Sequence, residues 1–128
     1  MTWIAIALGG ALGSMARHGI NQFVHRRWPL VEFPIGTLAI NVLGCLIIGV
    51  LAGLIIADRL TLRFYGREFV FVGLLGGFTT FSTFGLDTVT LLRTGSATAA
   101  AWNIAAHAGL GLFAAYGGLL LGSWKNTP

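Results

Sequence analysis

Four long apolar stretches, at about residues 3–23, 33–57, 69–92 and 97–124, are separated by short clusters of charge, and this pattern leaves few folds open. A hydrocarbon layer about 30 Å thick needs roughly 20 apolar residues per helix, so four spans with short connections use nearly all of the 128 residues. Only 9% of the residues are charged, against roughly 25% in an average soluble domain. The expected architecture is an all-α membrane protein, one transmembrane domain over residues 1–128 with four helices. The first stretch lacks the basic start, short apolar core and cleavage site of a signal peptide, and is read as a permanent helix.

Trp3, Trp28 and Trp124 fall near span ends, where an interfacial aromatic belt places them. The basic residues do not form a continuous patch, which argues against a nucleic-acid partner. With four spans, one side of the membrane carries Arg59, Arg63, Arg67 and Lys125, and the other carries Arg17, Arg26, Arg27 and Arg93. Balanced flanking charge gives almost no orientation bias, so the chain is expected to insert both ways and to pair as an antiparallel dual-topology homodimer.

Polar residues inside the membrane are costly and call for a partner or a function. Thr37, Asn41 and Cys45 are spaced i, i+4, i+8 on the second span, and Asn103 and His107 are i, i+4 on the fourth. In the first span Gly9, Gly13 and Ala16 are small residues about a turn apart, and the fourth is rich in Ala and Gly from Ala97 to Gly118, as expected of closely packed helices. The third span carries Gly76-Gly77-Phe78-Thr79-Thr80-Phe81-Ser82-Thr83-Phe84-Gly85, a run of poor helix formers. It predicts a helix broken near its middle, with backbone groups exposed where they can coordinate an ion. Phe78, Phe81 and Phe84 recur every third residue and are expected to form one stripe, beside a hydroxyl-rich strip of Thr79, Ser82 and Thr83. Amide and hydroxyl donors with the positive ring edges of Phe can replace the hydration shell of a small anion without holding it as a full positive charge does.

These residues carry a resemblance. Gly76-Gly77-Phe78-Thr79-Thr80-Phe81-Ser82-Thr83-Phe84 is similar to the GGxTTFSTF signature of the small fluoride channels called Fluc or CrcB. Gly9-Gly10 with Gly13 and Arg17, and Gly36-Thr37 with Asn41 and Gly44, add to it, and the likeness covers essentially the whole chain. The resemblance implies passive export of cytoplasmic fluoride across a bacterial plasma (inner) membrane, through two pores of an antiparallel homodimer embedded in lipid. It implies a fluoride pore lined by Phe81 and Phe84, with Asn41 as the pore asparagine and Ser82 and Thr83 as hydroxyl neighbours. Thr37 and His107 extend the polar track, and Arg17 lies at the aqueous mouth. It also implies a structural Na+ on the dimer axis, held by the backbone carbonyls of Gly76 and Thr79 of each subunit. The chain departs from the family pattern at Asn103 and His107, where better-known members often carry Tyr and Ser. It departs also at Asp87, usually Glu, and at Cys45, commonly Phe.

Other functions fit the pattern less well. A small dual-topology proton-coupled exporter needs a membrane-embedded carboxylate, which the cores of the first, second and fourth spans lack. A haem or metal protein would have to unite His18, His25 and His107, no two of which are i, i+4 on one helix. A non-conducting packing subunit predicts no flux from the purified chain. No nucleophile, base and orienting group converge in any motif, so the chain is not read as an enzyme.

Overall fold

Backbone that enters hydrocarbon has to satisfy its own N–H and C=O groups, and each apolar stretch of this chain does so as helix. The structure, a computed structural model, describes residues 1–124. Helix α1 is Thr2–Arg27, α2 is Ile35–Ile56, α4 is Phe81–Arg93 and α5 is Ala97–Ser123. Helix α3 is wound as a π-helix over Glu68–Leu75 and ends in a single α turn, Gly76–Phe78. Lys125, one of the residues in the charge balance, lies outside the described residues.

Three segments are long and apolar enough to cross a membrane: Ile35–Ile56, Glu68–Arg93 (α3 and α4 together) and Ala97–Ser123. Helix α1 matches them in length, with 26 residues or roughly 39 Å. Its second half, however, carries Ser14, Arg17, His18, Asn21, Gln22 and His25, which lowers its hydropathy.

The turns are set by local chemistry. Helix α4 ends in a Schellman turn: the Ser96 amide donates to the Leu91 carbonyl at 2.8 Å and the Gly95 amide to Leu92 at 3.1 Å. Gly95 occupies the left-handed position with φ +83°, open to glycine at no steric cost. Helix α2 ends the same way, with Arg59 donating to Leu54 at 2.9 Å and Asp58 to Ile55 at 3.1 Å. There the left-handed residue is Asp58, φ 54°, a type that tolerates this region better than most.

Glycines decide which helices touch. Gly9 and Gly13 on α1 face Gly73 and Gly77 on α3, and a Cβ on Gly77 would come within 2.6 Å of the Gly10 carbonyl oxygen. Gly49 and Gly53 on α2 face Gly118 and Gly122 on α5, and a Cβ on Gly122 would come within 2.8 Å of the Leu54 amide nitrogen. Each set is spaced i, i+4, so backbone lies against backbone and dispersion can act where lipid supplies no hydrophobic drive between helices. In both pairs residue numbers rise together along the contact, from Gly9 beside Phe69 to Gly13 beside Phe78, and from Gly49 beside Ala115 to Gly53 beside Ser123. The helices of each pair are therefore parallel. Two parallel slabs, α1 with α3 and α2 with α5, are joined by α4 and by a small set of polar bonds.

Candidate functional site

The third span breaks at two residues. Thr79 (φ −81°, ψ 159°) and Thr80 (φ −151°, ψ 109°) are extended, between the end of α3 and the start of α4. Thr80 caps the new helix, its Oγ1 accepting from the Thr83 amide at 3.2 Å. Asn41 of α2 pins the break from the other slab: its Nδ2 donates to the Thr80 carbonyl at 3.0 Å, and its Oδ1 accepts from the Thr80 amide at 2.8 Å. An unbroken helix would point that amide at the Gly76 carbonyl, so the Asn41 clamp frees Gly76 from its helical partner. Arg17 reaches the break from α1, its Nη1 donating to the Thr79 carbonyl at 3.4 Å.

Beside the break runs a groove of about 620 Å³, whose wall includes Asn41, Thr79, Thr80, Phe81, Phe84 and His107. The rings of Phe81 and Phe84 lie 5.4 Å apart at 53°, and those of Phe84 and His107 lie 4.4 Å apart at 40°. His107 Nδ1 bonds the Asn103 carbonyl at 2.9 Å. Two of the hydroxyls on the wall are already committed. Thr79 Oγ1 donates to the Leu75 carbonyl at 3.0 Å, and Thr80 Oγ1 donates to Thr83 Oγ1 at 2.9 Å. Asn41 keeps one amide hydrogen beyond its bond to Thr80, and the two Phe rings offer their edges.

A second, polar cavity of about 440 Å³ is lined by His18, Asn21, Gln22, Glu32, Thr37 and Asp87, among others. Thr37 Oγ1 donates to Asp87 Oδ2 at 2.7 Å there. The polar row of α2 thus serves both spaces, Thr37 facing the polar cavity and Asn41 and Cys45 the groove.

The structure brings Asn41, Phe81, Phe84, His107, Gly76 and Thr79 together on one wall. Thr37 sits in the polar cavity, Arg17 at the Thr79 carbonyl, and Ser82 and Thr83 beside the Thr80 hydroxyl, off the groove wall. The expected stripe of three phenylalanines is corrected to a pair. The break lies between Phe78 and Phe81 and resets the helical register, leaving Phe78 buried beside Gly44. The identical three-residue spacing holds no sign of this.

Sequence reasoning missed Thr88. It donates to the Phe84 carbonyl at 2.8 Å and accepts from Asn103 Nδ2 at 2.9 Å, and Asn103 is fully buried. These bonds tie α5 to the turn of α4 that carries Phe84. The signal available was a Thr one turn after Phe84, opposite the polar pair on the fourth span. Thr88→Val is expected to strand the Asn103 amide and cost about 1–3 kcal/mol of stability. A lowered thermal midpoint in detergent checks this, and an unchanged midpoint removes the bond from the stabilising set.

A helical, multi-pass membrane protein with a pinned break in one span beside a narrow aromatic groove is the class these features define. Residues 4–119 match the family described as "CrcB-like protein, Camphor Resistance (CrcB)", and the chain belongs to that family. It is 45% identical over 121 residues to the "Fluoride-specific ion channel FluC" of Paracoccus denitrificans (strain Pd 1222), covering 94% of each chain. It is 43% identical over 117 residues to the protein of the same name from Parabacteroides distasonis, covering 91% of this chain and 89% of that one. The protein of that name from Chloroflexus aurantiacus is 45% identical over 121 residues, again covering 94% of each. Helical spans of this kind place the chain in a bacterial inner membrane, since outer membranes are crossed by β-barrels.

Proposed function

We propose that the chain is a fluoride-selective channel, through which cytoplasmic fluoride leaves passively, and that it works as an antiparallel dual-topology homodimer with two pores. The chain belongs to a channel family and not to a class of enzymes. The observation that carries the reading is the break at Thr79–Thr80, held open by Asn41 beside the paired rings of Phe81 and Phe84. An anion entering the groove meets the spare Asn41 N–H and the ring edges. These are neutral partners, strong enough to offset lost hydration and weak enough to let the ion go. Arg17 and the polar cavity at Thr37 supply hydrated ground at the mouth.

Two features support four spans and a dimer. Helix α1 lies parallel to α3 along Gly9–Gly13, and a helix packed lengthwise on a spanning helix crosses with it. Gly76, Phe81 and Ser82 are exposed on the surface of the single chain, Phe81 at 83%. Irregular backbone at membrane depth is tolerated only when covered by protein or facing water. A second copy laid against that surface provides the cover and completes each pore wall.

The carbonyls of Gly76 and Thr79 also suit a structural Na+. Neutral oxygens are the donors that hard cations take, and the Asn41 clamp releases Gly76 from helix bonding. One chain offers two such oxygens, so a cation shell needs two copies. The ion would supply attraction between the copies and no part of the conduction path. The Thr79 carbonyl has a second lone pair beyond the one that meets Arg17.

Liposomes holding only this protein test the reading. They are expected to lose fluoride down its gradient, with or without a proton gradient, while retaining chloride. Equal chloride loss, or a need for a proton gradient, overturns it. Phe84→Ile removes a ring edge and its stacking on His107. It is expected to slow fluoride efflux by at least about tenfold, the change that follows from roughly 1.4 kcal/mol added to a barrier. A near-normal rate takes Phe84 out of the path.

A further inference from the structure

His107 is held in a way that settles which ring nitrogen carries hydrogen. Its Nδ1 lies 2.9 Å from the Asn103 backbone carbonyl, which can only accept, so Nδ1 is the donor. In the neutral ring Nε2 is then a bare lone pair. That nitrogen is buried and has no hydrogen-bond partner among the described residues. The ring forms part of the groove wall and stacks on Phe84 at 4.4 Å. The network behind it has one direction only: Asn103 Nδ2 donates to Thr88 Oγ1, which donates to the Phe84 carbonyl. The backbone turn carrying His107 therefore cannot reorganise cheaply to give Nε2 another partner.

We propose that His107 is an anion-binding residue of the groove that acts only when protonated, so that the proton concentration sets how readily fluoride passes. This rests on the channel reading above. A neutral ring turns a lone pair toward the groove and repels an anion. An imidazolium ring turns an N–H toward it and adds a third donor to those of Asn41 and the ring edges. Its positive charge is offset in part by the Phe84 face on which it stacks. Each neighbouring helix sets a group against His107. Helix α2 presents Asn41 and Cys45, α3 Thr79, α4 Phe81 and Phe84, and α5 its own Asn103. Cys45 is the one other titratable group on that wall among the described residues, and no Asp, Glu, Lys or Arg lines it there. Asp87 lies in the polar cavity, bonded to Thr37, and Arg17 lies on the Thr79 carbonyl. A proton arriving at Nε2 thus brings the first full charge to the groove.

The test is fluoride efflux from liposomes at equal pH inside and out, stepped between about pH 8 and pH 5.5, the range in which histidines change charge. Efflux from protein-free vesicles is subtracted at each pH. Wild-type flux is expected to rise several-fold toward pH 5.5, whereas His107→Gln, which keeps an amide donor but cannot titrate, is expected to conduct with a flat profile. A flat wild-type profile, or a slope that persists in His107→Gln, overturns the proposal while leaving the channel standing. Absence of protein-dependent flux at every pH sinks the channel reading too. A second measurement needs no variant: the ring NMR signal of His107 in wild-type protein. Its titration is expected to move to higher pH with added fluoride and to ignore added chloride, because a ligand bound to the protonated form favours protonation. Indifference to fluoride refutes the assignment.

Discussion

Replacing Asn41 with Asp is expected to lower fluoride efflux from liposomes on the order of a hundredfold, while the helical segments persist. The amide makes two bonds across the break, donating to the Thr80 carbonyl and accepting from its amide. A carboxylate can keep only the second. It sets an anionic oxygen against the Thr80 carbonyl, leaves that carbonyl unpaired, and puts a negative charge on the wall an anion must pass. A half-buried acceptor left without its donor costs about 1–3 kcal/mol, more when charge is involved. The measurement is flux in parallel with circular dichroism and gel filtration. A variant that elutes and folds like wild type yet conducts within twofold of it removes Asn41 from the path.

A single methyl group placed in the α2–α5 contact is expected to prevent assembly of the fold altogether. Gly118→Ala puts a Cβ onto the Leu46 carbonyl oxygen and within 2.9 Å of the Val50 amide nitrogen. Both are backbone atoms within a helix, so neither can swing aside as a side chain can. Overpacking a well-packed interior typically costs about 1–3 kcal/mol. Here the separation of two whole helices is the only relief, so the cost lies at or above that range. At the neighbouring Gly117 a methyl would meet nothing within 4 Å, and Gly117→Ala is expected to fold normally. Yield of monodisperse protein in mild detergent decides the matter. Equal yields from the two variants would show that the glycine contact is not what holds α2 to α5.

Much of the architecture is legible in the residues alone, because hydrocarbon forces an apolar run into helix and a cluster of glycines and threonines out of it. Such a cluster predicts a break within Gly76–Gly85, and the structure puts it at Thr79–Thr80. Helix pairing is less legible. Gly9 and Gly13 stand out as small residues, but spacing on one helix does not name the partner. Gly49 with Gly53, Gly73 with Gly77 and Gly118 with Gly122 carry the same spacing, and nothing in it tells which pair meets which. The π winding of Glu68–Leu75 has no sequence mark of its own, since Val, Phe, Gly and Leu occur in any span. Within the site, Asn41, Phe81, Phe84 and His107 are legible as chemistry. Spacing does not reveal that Thr37 faces a different space, that Phe78 falls on the far side of the break, or that Thr88 holds Asn103, because each depends on how separate helices meet.

The two glycine-zipped slabs differ sharply from the seam between them. Inside a slab the contact is backbone on backbone, and no side chain can be exchanged there without moving a helix. Across the seam stand Asn41 to Thr80 and Thr37 to Asp87, bonds made by side chains. Chemistry and scaffold are therefore inherited separately. A lineage can rewrite the groove, as the His and Asn at positions 107 and 103 illustrate, without disturbing the frame that sets its width. The frame itself admits almost no drift, so descendants of this fold diverge in what they pass before they diverge in shape.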